Sequence, residues 1–376
     1  MNNRERLDAI LNYKSYDRMP VVHFSYWRQT LQNWSEEGHL REDEIDGIMV
    51  EGSPEERAFS DQLGFDFNYN ANFRNSTGSP TLFPVFEAET LEILPDGRKK
   101  VRDKYGAILL QREDLCSLPY EVGYTLTDRR SWEEYYIPRL QKDIKRLDME
   151  KLNKLAETDD TRTEPIGIYL KSLLGQIRNA MGVVNLSYMY ADDEELYREI
   201  IRTYADVIYY ETEETLKIYA NFDNAHFWED ICFKNGPLVS PDVFREIVGP
   251  HYKRITDMVK SYGIKIISLD CDGVIDSLLP IWFENGVNTM FPIEVGTWGA
   301  SIEPWRRLYG KELRGIGGVN KLVFDLDYAA VDAEVERMKP LVDLGGFIPC
   351  PDHRIHPTAK YENVVYYCNA MRKAFG

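Results

Sequence analysis

Residues 264–276 read IKIISLDCDGVID. An apolar, β-branched run leads straight into Asp270, Cys271, Asp272 and Gly273. The run has the length and composition of a buried strand. Strand alternation puts Asp270 and Asp272 on one face and turns Cys271 back toward the wall. Two readings of this ending compete. An aspartate there caps the next helix, or the pair faces a metal or substrate at the strand mouth.

Working outward, the same unit of short apolar strand, loop and helix recurs along the chain. Strands are expected at 19–24, 64–70, 164–170, 222–230, 264–272, 287–295, 313–319 and 346–353. Helices are expected after most of them. The stretch SPDVFREIVGPHYKRITDMVKSYG carries a helix with Ser240 as N-cap, Pro241 at its first position and Gly263 as its stop. Eight alternating units predict a closed (β/α)8 barrel rather than an open doubly wound sheet. The early glycine-rich dinucleotide turn is also missing; GIGGVN at 315–320 comes late and reads as a tight turn or a phosphate cradle. No repeat or flexible linker interrupts the chain, so one domain over 1–376 is expected. Between strands two and three, residues 81–118 alternate around Pro95-Asp96-Gly97 and predict a β-hairpin insertion.

The 376 residues are 43% hydrophobic and carry a formal net charge of −17. So acidic a surface excludes nucleic acid or an anionic membrane as the main partner, since phosphate-binding faces need clustered Lys and Arg. Five scattered cysteines (116, 232, 271, 350 and 368) make no disulfide framework. The start, MNNRERLDAILNY, is a charged amphipathic helix rather than a signal peptide. No apolar run reaches membrane-spanning length. A cytoplasmic protein is expected.

Polar side chains gather at the predicted strand ends. Strand four ends in Trp228-Glu229-Asp230, strand six in Glu294 and strand eight in Asp352-His353, beside Asp270 and Asp272 of strand five. Carboxylates crowded at one mouth repel each other unless a cation neutralises them. Oxygen ligands with one imidazole suit zinc or another divalent ion. Each residue also has a plain role available: a cap, a hydrogen-bonded histidine, a solvated loop pair. Tyr26, Trp27, Phe67, Tyr69, Phe73, Trp228 and Trp298 fall near the same ends; most are ordinary core, and a subset is expected to line a pocket for a flat ligand.

Four stretches together resemble the uroporphyrinogen decarboxylase superfamily, which includes the cobalamin-dependent methyltransferases. They are NRERLDAILNYKSYDRMPV, FWEDICFKNGPLVSPDVFREIVGPHYKRI with the Asp-Cys-Asp-Gly segment, GGFIPCPDHRIHP, and ENVVYYCNAMR. The resemblance covers nearly the whole chain and implies a (β/α)8 barrel. True decarboxylases carry an Arg-Gln-Ala-Gly-Arg run after the first strand that grips porphyrinogen carboxylates. Here the stretch is Trp27-Arg28-Gln29-Thr30-Leu31-Gln32-Asn33, so Arg28 survives and Gln32 replaces the second arginine. Asp230 stands where the decarboxylases have a serine, while His353 matches their histidine.

The methyltransferase branch holds zinc with a His-x-Cys pair and a later cysteine. Those positions fall on Asp270, Asp272 and His353, all side chains able to bind a metal. The resemblance therefore implies an enzyme moving a methyl group from a small O-methylated compound, aromatic or not, to a corrinoid (cobalamin) on a separate protein. Asp270, Asp272 and His353 are the expected zinc ligands, with Glu229 as a fourth. Glu294 and Asp230 are the expected catalytic proton donors or supports. Trp228, Phe67, Tyr69, Tyr26 and Arg28 are the expected substrate contacts. The alternatives are a uroporphyrinogen or related decarboxylase, with His353 and Arg28 as its anchors, and a non-catalytic tetrapyrrole- or corrinoid-binding protein. A homodimer is left open.

Overall fold

The computed structural model describes residues 1–74, 78–111 and 120–376. Strands β1 (Val22–His23) and β2 (Phe67–Asn68) pair in parallel. Four strands follow: β3 (Glu89–Ile93), β4 (Lys99–Arg102), β5 (Ala107–Gln111) and β6 (Tyr120–Tyr124). They form an antiparallel sheet in sequence order. Its first turn holds Pro95-Asp96-Gly97, with Gly97 at φ +85°. Residues 112–118 of the segment expected as a hairpin lie outside the described residues.

Next come β7 (Gly167–Tyr169) and β8 (Asn224–Trp228), and a short hairpin of β9 (Cys232–Phe233) with β10 (Gly236–Pro237). Then follow β11 (Ile267–Asp270), β12 (Thr289–Phe291), β13 (Arg314–Val319) and β14 (Phe347–Pro351). Six strands form one parallel sheet in the order β14-β13-β12-β11-β8-β7. Beyond β14 and β1 a parallel bridge joins Tyr26 to Ile355. The fold is thus α/β with parallel sheets and helices between the strands. Between β2 and β7 no ladder runs among the described residues. There the Phe73 ring packs against Gly167, where an added Cβ would lie 2.2 Å from it. Only glycine admits that approach.

Side-chain caps open two of the long helices. Asp193 accepts from the Leu196 amide to start the helix Glu194–Ile218, and Asp327 does the same for Tyr328–Asp343. Ser240 makes no such side-chain bond, and the segment after it runs through a wider π-type turn, Phe244–Val248, before Gly249–Ser261. The buried apolar cluster extends from Leu7 to Met371. Among the described residues no helix is long and apolar enough to cross a membrane.

Candidate active site

A cavity of about 670 Å³ opens at the carboxyl ends of the parallel strands. Alternation along β8 builds one wall: His226 and Trp228 face the cavity, while Phe227 is fully buried in the core. Phe24 and Trp27 enter from beyond β1, and Asn70 and Phe73 from beyond β2. Tyr105, in the turn between β4 and β5, reaches in from the antiparallel sheet. Three non-glycine residues that follow strands hold a left-handed backbone: Ser25 (φ +67°), Lys171 (φ +61°) and Asp230 (φ +49°). Such conformations cost energy and persist where surrounding structure fixes them, commonly at functional sites.

Asp270 and Asp272 both line the cavity, as alternation requires, while the Cys271 thiol is buried against Cys232 and pushed up by burial. The next helix, Leu279–Glu284, has Leu278 at its cap position, so Asp272 caps nothing. Its Oδ2 instead lies 3.3 Å from His353 Nε2. Its Oδ1 is buried without a hydrogen-bond partner. His353 in turn stacks on Trp27, with ring centroids 5.7 Å apart and planes at 17°.

The expected metal set is not assembled. Asp270, Asp272 and His353 share the cavity wall, yet no group of three His, Cys, Asp or Glu side chains among the described residues is placed to hold a metal ion. Glu229, the expected fourth ligand, is turned away altogether. It is fully buried and accepts from Ser172 Oγ (3.0 Å), from the Leu173, Leu174 and Gly175 amides (2.7, 2.9 and 2.8 Å) and from the Tyr252 hydroxyl. Its carboxyl thereby satisfies the orphan amides around the start of the helix Gly175–Met181.

Asp230 points the other way, into the cavity. Burial pushes its carboxyl above the usual carboxylate range; the charge of Asp272 adds to this, and Arg178, 3.4 Å away, opposes it. Glu294 sits behind the wall, where it lines a separate cavity of about 130 Å³. It accepts from the Gly273 amide at 2.8 Å and from the Trp298 indole, so it holds the turn after Asp272. Burial, reinforced by the Asp272 charge, pushes its carboxyl up to about 7.

Of the expected substrate contacts, Trp228 lines the cavity. Tyr26 is buried and bonded to Ser60, and Phe67 lines a second cavity near the start of β7. Tyr69 lies beneath the floor, donating to Ser268 Oγ, which meets His226 Nδ1 at 2.7 Å. Arg28 faces solvent and pairs with Asp46 at 2.5 Å, because it opens the helix Arg28–Glu36 on its outer side. The sequence reading missed His226, Lys171 and Arg354, all of which line the cavity. The β8 alternation that marks Trp228 also marks His226; Lys171 and Arg354 carry no local signal.

Residues 173–374 match the uroporphyrinogen decarboxylase family. No curated protein matches the chain in sequence. Among solved structures, a methyltransferase from Methanosarcina mazei superimposes with a TM-score of 0.60 at 14% identity, covering 99% of both chains. A B12-independent methionine synthase from Shewanella sp. W3-18-1 gives a TM-score of 0.49 at 12% identity, covering 95% of this chain and 96% of its own.

Proposed function

The chain belongs to the uroporphyrinogen decarboxylase family, and from that premise we propose that it is an enzyme of methyl transfer. It takes a methyl group from a small O-methylated, aromatic compound and passes it to a reduced corrinoid on a separate protein. The eight parallel strands are read as the staves of one (β/α)8 barrel. The observation that carries the proposal is Asp230, a carboxyl that lines the cavity beside Trp228 at the strand ends and whose hold on a proton burial strengthens. The fold shared with a methyltransferase is consistent with it.

A reduced corrinoid would supply the nucleophile that takes the methyl group, and the ether oxygen would keep the bonding electrons. The residues of this chain then have defined tasks. Trp27, stacked on His353, and Trp228 present flat surfaces to an aromatic ring. Asp230 would carry the proton the departing oxygen needs, and a carboxyl raised by burial is better suited to that work than an exposed one. Glu294 fixes the turn that presents Asp272. Among the described residues Arg354 is the one arginine lining the cavity, and Arg28 pairs with Asp46 outside it, so no arginine pair is placed to grip a porphyrinogen.

Zinc is a separate proposal. Ligation by Asp270, Asp272 and His353 requires their side chains to turn onto a common point. Elemental analysis of protein from zinc-supplemented growth, beside Asp270→Ala, Asp272→Ala and His353→Ala, tests it. Equal zinc in all four, or none in the parent, removes it.

The methyl-transfer test is direct. Purified protein, a panel of methoxyphenols and cobalamin reduced with titanium(III) are expected to give methylcobalamin, followed by absorbance. Asp230→Asn is expected to lower the rate about 100-fold, the usual weight of a general acid. No methylcobalamin with free or protein-bound corrinoid, or coproporphyrinogen formed from uroporphyrinogen, would overturn the reading.

A further inference from the structure

The cavity has a second pole that the methyl-transfer chemistry leaves unused. Lys171 follows β7, two strands round from β11 in the sheet order, and its side chain lines the cavity while only 9% exposed. Among the described residues its ammonium makes one hydrogen bond, to Glu211 Oε2. Glu211 is shared: its other oxygen takes Ser79 Oγ at 3.1 Å and Arg146 at 3.4 Å. Arg146 is 1% exposed and directs its remaining donors at the backbone carbonyls of Gln141, Thr81 and Arg139. Two buried cations therefore face one carboxylate.

Thr81 stands at the same wall. It is 1% exposed, lines the cavity, and its hydroxyl has no hydrogen-bond partner among the described residues. Its neighbour Gly78 brings the segment over the lysine, an added Cβ there lying 3.8 Å from Lys171 Nζ. A buried, uncompensated charge is costly, and so is a buried hydroxyl left unbonded. One monoanion with acceptor oxygens relieves both. A dianionic phosphate would overshoot a single net positive charge.

We propose that Lys171 and Thr81 form a subsite for the carboxylate of the ligand in this cavity. Taken with the methyl-transfer reading, on which this half of the inference rests, the methyl donor is then a methoxy acid. Its ether lies toward Asp230 and its carboxylate on Lys171. Burial lowers the Lys171 ammonium below the ordinary lysine range, with Glu211 opposing. The incoming carboxylate opposes that effect and favours the charged ammonium.

Calorimetry with acetate, benzoate, 4-methoxybenzoate and the neutral 4-methoxybenzyl alcohol tests the subsite without turnover. The parent protein is expected to bind 4-methoxybenzoate at least about 10-fold more tightly than the alcohol, as a charge-assisted bond implies. Lys171→Met is expected to erase that preference and leave the alcohol unchanged. Thr81→Val is expected to weaken the acid about 3-fold. Lys171→Arg keeps the charge and part of the preference, and it serves if Lys171→Met fails to fold by circular dichroism. Equal affinity for acid and alcohol, no binding of any carboxylate, or an unchanged preference in Lys171→Met would overturn the subsite. A preserved acid preference without methylcobalamin formation sinks methyl transfer and leaves the subsite standing.

Discussion

Strands β8 and β11 lie side by side, and each runs out into acids. At β8 the residues are Glu229 and Asp230; at β11 they are Asp270 and Asp272. Adjacent residues on a strand face opposite ways, so Glu229 and Asp230 part company, one into the helix layer and one into the cavity. Residues two apart face the same way, and both β11 aspartates meet the cavity. Glu229 is a structural carboxylate with five donors, whereas Asp272 has one histidine neighbour and an orphaned oxygen. Spacing of one against two separates anchor from site.

The sharpest break of that contrast is Glu229→Ala. Five donors lose their acceptor in a dry interior, and removing one side of a buried charged network costs about 3–5 kcal/mol. Chemical denaturation of the variant is expected to show a loss of this size. A loss under about 1 kcal/mol would mean water replaces the carboxylate and the anchor reading fails.

A smaller effect comes from Glu294, which supports the β11 turn from behind. Its folded value, about 7, lies above the ordinary 4.5. Between those values the folded state holds a proton that the unfolded chain has released. The stabilising contribution is therefore complete at low pH and is lost as pH rises through the folded value. Glu294→Gln can still accept from Gly273 and Trp298 but does not titrate. The variant is expected to match the parent near pH 4 and to exceed it by about 3 kcal/mol near pH 8. Parallel stability curves for the two proteins would show that Glu294 ionises normally.

The contrast also shows what the sequence made legible. The apolar runs mark all eight parallel strands because burial on both faces demands unbroken apolar stretches. Alternation in Asp270-Cys271-Asp272 places the aspartates in the cavity and Cys271 in the wall. The same rule applied to β8 would have put Glu229 opposite Asp230. Arg28 could not be placed this way, because the helix it opens aims it at Asp46 in solvent. Lys171 was invisible for a different reason. Its partner Glu211 lies forty positions on, so only packing of the helix Glu194–Ile218 against the strand end brings them together.

The smallest expected stability change is that of Asp272→Ala. The substitution removes a contact with His353 and, with it, a buried oxygen that bonds to nothing. These losses oppose, so the change is expected to stay within about 1 kcal/mol. The electrostatic effect is more telling. The Asp272 charge raises the carboxyls of both Asp230 and Glu294, so its removal is expected to lower both toward the ordinary range. Carbon-13 NMR titration of the side-chain carboxyls reads those values directly. If Glu294 still titrates near 7 in Asp272→Ala, burial alone sets it, and the acids at the mouth act independently rather than as one group.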